Sequence, residues 1–282
     1  MTQGAVPVVV LAAALLHAVW NALVHGVRDR TAGLAQMNLV FVAFGAVFAL
    51  FVPPPGTAAL PYLLASAALQ TGYQLLLARA YGLGDFGQMY PIARGTSPAV
   101  VALLAATVLH RPLPAGQVAA VAVISLGLAG LTLVGGRPGR AQLPAITAAL
   151  GNGVLIAGYT VVDAGGVRVA DSAAGYIAWM FLLQGAAVFA AVAVVRRRDL
   201  WPALCEGRAV GLGGGLMSLT AYGLVVWAQT VGDLPTIAAL RETSIVIAAL
   251  IGALVLRERL GGLRLAASAT VLTGIALLEF AH

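Results

Sequence analysis

Two arginines stand where a charge is hardest to keep. Arg94 lies about seven residues inside one long apolar run and Arg241 about six inside another, roughly 10 Å from the nearer end at helical rise. An ionisable side chain at that depth costs some kcal/mol and marks a functional candidate, yet a long Arg can also snorkel and pair with helix-end carbonyls. The residues alone fit both readings. Tyr90 precedes Arg94 by one turn, and Glu242 follows Arg241 directly. Adjacent residues on a helix point about 100° apart, so Glu242 is expected to partner Arg94 or another span rather than its neighbour. Pro91 and Pro98 bracket Arg94, and Pro235 precedes Arg241. Proline removes a helix donor, so kinks or breaks are expected beside these charges.

Uncharged polar residues fall at helical spacing. Gln70, Tyr73, Gln74 and Tyr81 share one face of a third apolar run, and Ser218, Tyr222 and Gln229 share one face of an eighth. At an offset of 148 residues Gln70 meets Ser218, Gln74 meets Tyr222 and Tyr81 meets Gln229. Such stripes line a pore or tie helices together by hydrogen bonds, and both uses suit Gln, Ser and Tyr. A second set joins His17, Trp20 and Asn21 with Tyr159 and Thr160, then Asn38, Tyr176, Trp179 and Gln184. Trp20 lies roughly 7 Å from its span end, deep enough to face a cavity. Asp163 reads as a helix-end charge in contact with water, and Arg79 as a snorkelling one.

No catalytic signature accompanies these residues. The chain has no phosphate-cradling Gly-rich loop followed by Lys, no His pair at metal spacing and no Gly-x-Ser-x-Gly elbow. Its single Cys205 excludes an internal disulfide or a multi-Cys metal site. No catalytic residue, metal or cofactor is expected. The Gly211–Gly215 stretch reads as close helix packing.

The elements that must position these side chains follow from composition. Of 282 residues, 61% are hydrophobic and only 9% charged, against about 25% charged in soluble domains. With a mean hydropathy of +0.96, a soluble enzyme and a disordered chain are both excluded. Apolar runs cover residues 5–25, 32–52, 58–81, 87–109, 114–134, 142–162, 172–195, 209–231, 235–256 and 263–280. Only helices or closed barrels satisfy the backbone in hydrocarbon, and the runs are too long and continuous for barrel strands. Ten membrane helices are expected. The first lacks a basic leader and reads as a retained span rather than a cleaved signal peptide.

The halves repeat. Asp85 lines up with Asp233 at offset 148, Arg94 with Arg241 at 147, "FVAFGAVFA" with "FLLQGAAVF" at 140 and Trp20-Asn21 with Tyr159-Thr160 at 139. Five spans per copy is an odd number, so the second copy enters the membrane from the opposite side. The expected architecture is an all-α membrane protein of two inverted five-helix repeats, residues 1–136 and 141–282, a plan used by secondary transporters.

The first span, "HAVWNALVHG", and the charged turn and Gly-rich span of "LRERLGGLRLAASATVLTGIAL" resemble the EamA family of the drug/metabolite transporter superfamily. The resemblance covers essentially the whole chain in two copies. It places the family's acidic residue after the fourth span of a repeat on Glu258, and Arg111 departs from it in the first copy. It implies transport of small metabolites, often outward, without ATP hydrolysis.

All 16 basic residues are Arg, and the net charge is +6. Most of them sit between apolar runs, a pattern of membrane-flanking loops rather than of a nucleic-acid groove. Loops 1–2, 3–4, 5–6, 7–8 and 9–10 hold eleven Arg and the other side holds Arg111 and Arg168. The positive-inside rule then puts those odd loops in the cytoplasm and both termini outside. The sequence is thus expected to be a multi-pass inner (plasma) membrane exporter of a small polar metabolite such as an amino acid, as monomer or homodimer, with protons as a candidate coupling ion. The alternatives are uptake of an organic acid or phosphonate, and a membrane-embedded enzyme or lipid-handling protein.

Overall fold

A computed structural model describes residues 6–26, 29–107, 114–133, 139–205, 208–231, 240–257 and 261–280. Among the described residues the chain is all helical: α1 (Val6–Gly26), α2 (Arg30–Ala49), α3 (Leu60–Leu83), α4 (Phe86–Thr107), α5 (Ala115–Thr132), α6 (Leu143–Val169), α7 (Ala173–Arg196), α8 (Leu200–Cys205), α9 (Arg208–Val231), α10 (Ser244–Leu254) and α11 (Gly262–Phe280). Local chemistry sets several starts. The Asp29 carboxylate accepts from the Ala32 amide at 3.0 Å to open α2, and the Ser172 hydroxyl accepts from the Gly175 amide at 3.0 Å to open α7. Both satisfy donors that a helix start leaves free. Pro61 and Pro144 occupy first-turn positions of α3 and α6, where no donor is missed.

By length and composition α1, α2, α6 and the α7–α8 segment can cross a membrane. Large apolar side chains face outward, with Leu50 81% and Val195 75% exposed, while Asn38, Gln74 and Arg94 are buried. That inversion suits a lipid exterior.

Long helices lie in pairs: α5 along α11, α2 along α7, α3 along α6, and α1 along α9. Two of these crossings are reciprocal. A Cβ on Gly45 would stand 2.7 Å from the Ala178 carbonyl, and one on Gly185 would stand 2.9 Å from the Asn38 carbonyl. Likewise a Cβ on Gly127 would stand 2.7 Å from the Val271 nitrogen, and one on Gly274 would stand 2.7 Å from the Ile124 nitrogen. Small residues let backbones approach this closely in lipid.

Two expectations about helix continuity are corrected. α4 runs unbroken from Phe86 to Thr107 through both prolines. Pro98 leaves the Arg94 carbonyl without its helix donor, but neighbouring turns hold the rod. The interruption beside the charges falls instead at Thr243, a turn between the helical residues 240–242 and α10. Second, α6 does not stop at the end of its apolar run at 162; it continues to Val169 because the charge that interrupts the run is satisfied inside the protein. Asp233, Arg111 and Glu258 lie outside the described residues, as does Pro235.

Candidate functional site

α1, α2, α3, α6, α7 and α9 line a small, partly open cavity. Its volume is about 40 Å³, and it is lined by His17, Trp20, Met37, Phe41, Gln70, Tyr73, Gln74, Tyr159, Phe181, Gln184, Ser218 and Tyr222. Nine of these are residues the sequence singled out: the spacing that placed them on common helix faces also aims them inward. The rings interlock. His17 meets Trp20 edge-on at 5.3 Å, Tyr73 meets Tyr159 at 5.5 Å and Phe181 meets Tyr222 at 5.9 Å. Trp20 Nε1 donates to His17 Nδ1 at 3.3 Å. The Gln184 Oε1 atom is buried with no protein partner, an acceptor left for something else.

Other expected residues hold the walls rather than line them. Asn38 Nδ2 donates to Gln74 Oε1 at 2.6 Å and to the Leu34 carbonyl at 2.8 Å, tying α2 to α3. Asn21 Nδ2 donates to the His17 carbonyl at 2.8 Å, and its Oδ1 accepts from Tyr81 Oη at 2.9 Å, tying α1 to α3. Thr160 and Trp179 are half-buried and do not line the cavity. The side chain of Gln229 lies outside the described residues.

At one end of this region Arg94 Nη2 donates to Glu242 Oε1 at 2.8 Å, joining α4 to the segment before α10. This is the cross-span pairing expected for Glu242. It is half made, because Arg94 Nε and Glu242 Oε2 are both buried without partners. Tyr90 Oη donates to Ser244 Oγ at 2.9 Å, and the Tyr90 ring lies 6.3 Å from His17. Arg241 is half-buried in the helical residues 240–242.

The expectation for Asp163 is overturned. It is 7% exposed, not a solvated helix end. Tyr176 Oη donates to its Oδ1 at 2.9 Å; Tyr222 Oη and Gln70 Nε2 donate to Oδ2 at 3.2 and 3.3 Å. Gln70 and Tyr222 are also cavity walls. Hydropathy alone hid Asp163, since a charge at the edge of an apolar run looks the same whether water or three helices receive it. Met37, Phe41 and Phe181 were missed because an apolar side chain in an apolar span carries no signal of which way it faces. Arg79 is exposed, as a snorkelling residue should be, and opens on a charged cleft with Asp29, Arg30 and Arg196.

The helices present apolar side chains outward around a polar and aromatic cavity. Residues 143–280, just under half of the chain, match the EamA-like transporter family, part of the drug/metabolite transporter superfamily. A protein of solved crystal structure, 19% identical, superposes over 98% of this chain and 96% of its own with a TM-score of 0.62, a likeness of fold alone. No curated protein matches the chain in sequence.

Proposed function

We propose that the chain is a secondary active transporter exporting a small polar metabolite, an amino acid or related zwitterion, by alternating access across the inner (plasma) membrane. The observation that carries this reading is the small polar and aromatic chamber lined by helices of both halves. At about 40 Å³ it exceeds the ~15 Å³ one water needs, yet it is far below the ~300 Å³ of a metabolite pocket. A substrate enters only if the helices part, which is the behaviour of a carrier rather than of a receptor or an open channel.

The reading includes ten spans in two inverted repeats. The reciprocal glycine contacts support it: Gly45 and Gly185 are 140 residues apart, as are their partners Asn38 and Ala178, while Gly127 and Gly274 are 147 apart, as are Ile124 and Val271. A two-fold relation between the halves requires such exchange of partners. Substrate binding where repeats meet follows from that plan.

Arg94 and Arg241 supply the donors for a carboxylate. Glu242 holds Arg94 through one bond and leaves a guanidinium nitrogen and a carboxylate oxygen without partners. A substrate carboxylate that takes over Arg94 bidentately satisfies both nitrogens and releases Glu242. Neutralisation of Arg94 by Glu242 also disfavours the rival reading, uptake of a polyanionic acid or phosphonate. The aromatic walls enclose the apolar part of the substrate.

Purified protein in vesicles, tested with a panel of labelled amino acids, should give saturable counterflow. Arg94→Lys should lower it at least tenfold, because a point charge does not replace the planar fork. Absence of counterflow for every amino acid, with a chemically altered product in its place, would point to an enzyme and end the proposal.

A further inference from the structure

Asp163 is the buried acid that the reading above leaves unused. It sits inside α6 at the contact with α3, α7 and α9, and every group observed on its carboxylate is a neutral donor: Tyr176, Tyr222, Gln70 and the Ser66 hydroxyl. The two ion pairs among the described residues join Arg94 to Glu242 and Arg196 to Asp29; neither includes Asp163. These neutral donors stabilise the anion, but among the described residues its net charge has no cationic side chain, and a bare ion in such surroundings costs several kcal/mol. The missing partner is a mobile cation.

We propose that this cation is a proton and that Asp163, not Glu242, is where proton binding is coupled to the chamber; this rests on the transport reading. The two carboxylate oxygens are held unequally. Oδ1 is tied to Tyr176 at 2.9 Å, whereas Oδ2 holds Tyr222 and Gln70 at 3.2 and 3.3 Å, the long end of the hydrogen-bond range. Both loose donors line the chamber. When a proton binds Oδ2, that oxygen becomes a donor itself, and Tyr222 and Gln70 let go. Their hydroxyl and amide then turn to the substrate. Loss of the proton from Oδ2 draws them back. One proton is bound or released per switch, and no other bond changes.

The groups that face the cage are limited. Tyr176 comes from α7, Tyr222 from α9 and Gln70, itself bonded to Ser66 at 2.9 Å, from α3; Tyr159 lies one turn back on α6. Arg94, Arg241 and Glu242 act electrostatically on Tyr159, and Arg241 acts on Tyr222. Phenols ordinarily titrate near ~10 and carboxyls near ~4, so among the contact groups the carboxyl is the one to exchange a proton in the working range.

The test uses the full chain in lipid without substrate. Infrared difference spectra between acid and alkaline pH should show a protonated-carboxyl band that titrates in the wild type, persists in Glu242→Gln and is missing in Asp163→Asn. Tyr222→Phe keeps the acid but removes a donor to the anion, so proton affinity should rise about tenfold and the midpoint should move to higher pH. In vesicles a proton gradient should drive export in the wild type and lose that effect in Asp163→Asn. Superimposable spectra of wild type and Asp163→Asn, with counterflow intact, overturn the proton site. A titrating Asp163 band in a protein that exchanges no amino acid overturns the transport reading instead.

Discussion

The two ends of the α2–α7 pair are closed by different chemistry. At one end Arg196, the last residue of α7, reaches Asp29 and Thr31 at the start of α2. Beside this ion pair opens a cleft of about 650 Å³ lined by Arg30, Arg79 and Arg196 against the single Asp29. At the other end the seal is backbone. Asp171 N donates to the Pro55 carbonyl at 3.0 Å, Gly175 lets the Pro53 carbonyl come into contact, and Gly56, at φ +81°, lies against the Asp171 carboxylate. Charge complementarity can be broken by water, salt or acid at modest cost. Interlocked backbone can open only by moving whole helices. If the chain rocks, the charged end is the one whose closure responds to its solution.

The largest expected difference comes from steric attack on the backbone seal. Gly175→Val forces a branched side chain against the Pro53 carbonyl and should cost about 2–3 kcal/mol, read as a lower melting temperature in lipid. Arg196→Ala at the charged end should cost at most about 1 kcal/mol, since both partners keep roughly a third of their side-chain exposure and such pairs are screened. Equal destabilisation by the two variants would erase the contrast.

Access should show the opposite ranking. In a Cys205→Ser background, a cysteine placed at Ala78, buried at the cleft wall, should label several-fold faster when Arg196→Ala is added. High salt should reproduce part of that gain in the unaltered pair, because the Debye length falls to about 3 Å at 1 M. Insensitivity to both would mean that the ion pair does not hold this end shut.

The smallest effect concerns acid. Partial burial works to raise the Asp29 carboxyl, but the Ala32 amide, the Thr31 hydroxyl and the Arg196 guanidinium outweigh it and hold Asp29 below its ordinary range. Its folded value is therefore depressed, so the contribution is fully present above the ordinary value near ~3.9 and is lost as pH falls through the lower folded one. Labelling at Ala78 should stay slow through mildly acidic pH and rise only below the ordinary carboxylate range, whereas Asp29→Asn should label fast throughout. A rise centred near neutrality would assign the latch to another group.

Much of the molecule is written in local pattern. Apolar run length sets where the helices lie, to within a few residues for most of them, because hydrocarbon permits few other ways of satisfying a backbone. Helical period placed Gln70, Tyr73 and Gln74 on one face, and that face lines the chamber. The 100° between neighbours foretold that Glu242 looks across to Arg94. What stayed hidden depended on the other side of each contact. Asp163 ends an apolar run whether it meets water or the hydroxyls of Tyr176 and Tyr222, which arrive from helices 13 and 59 residues away in sequence. Pro91 and Pro98 promise a break that α4, packed between α5, α6 and α10, does not make. Phe41 and Phe181 are as apolar as any lipid-facing residue, and only the α2–α7 crossing turns them toward Tyr222. Hydropathy and period are properties of one helix in a uniform solvent, so the sequence alone determined the rods and their polar faces. The partners that decide whether a buried charge is paired, a proline tolerated or an aromatic ring part of the chamber come from other helices, and those only the tertiary structure decided.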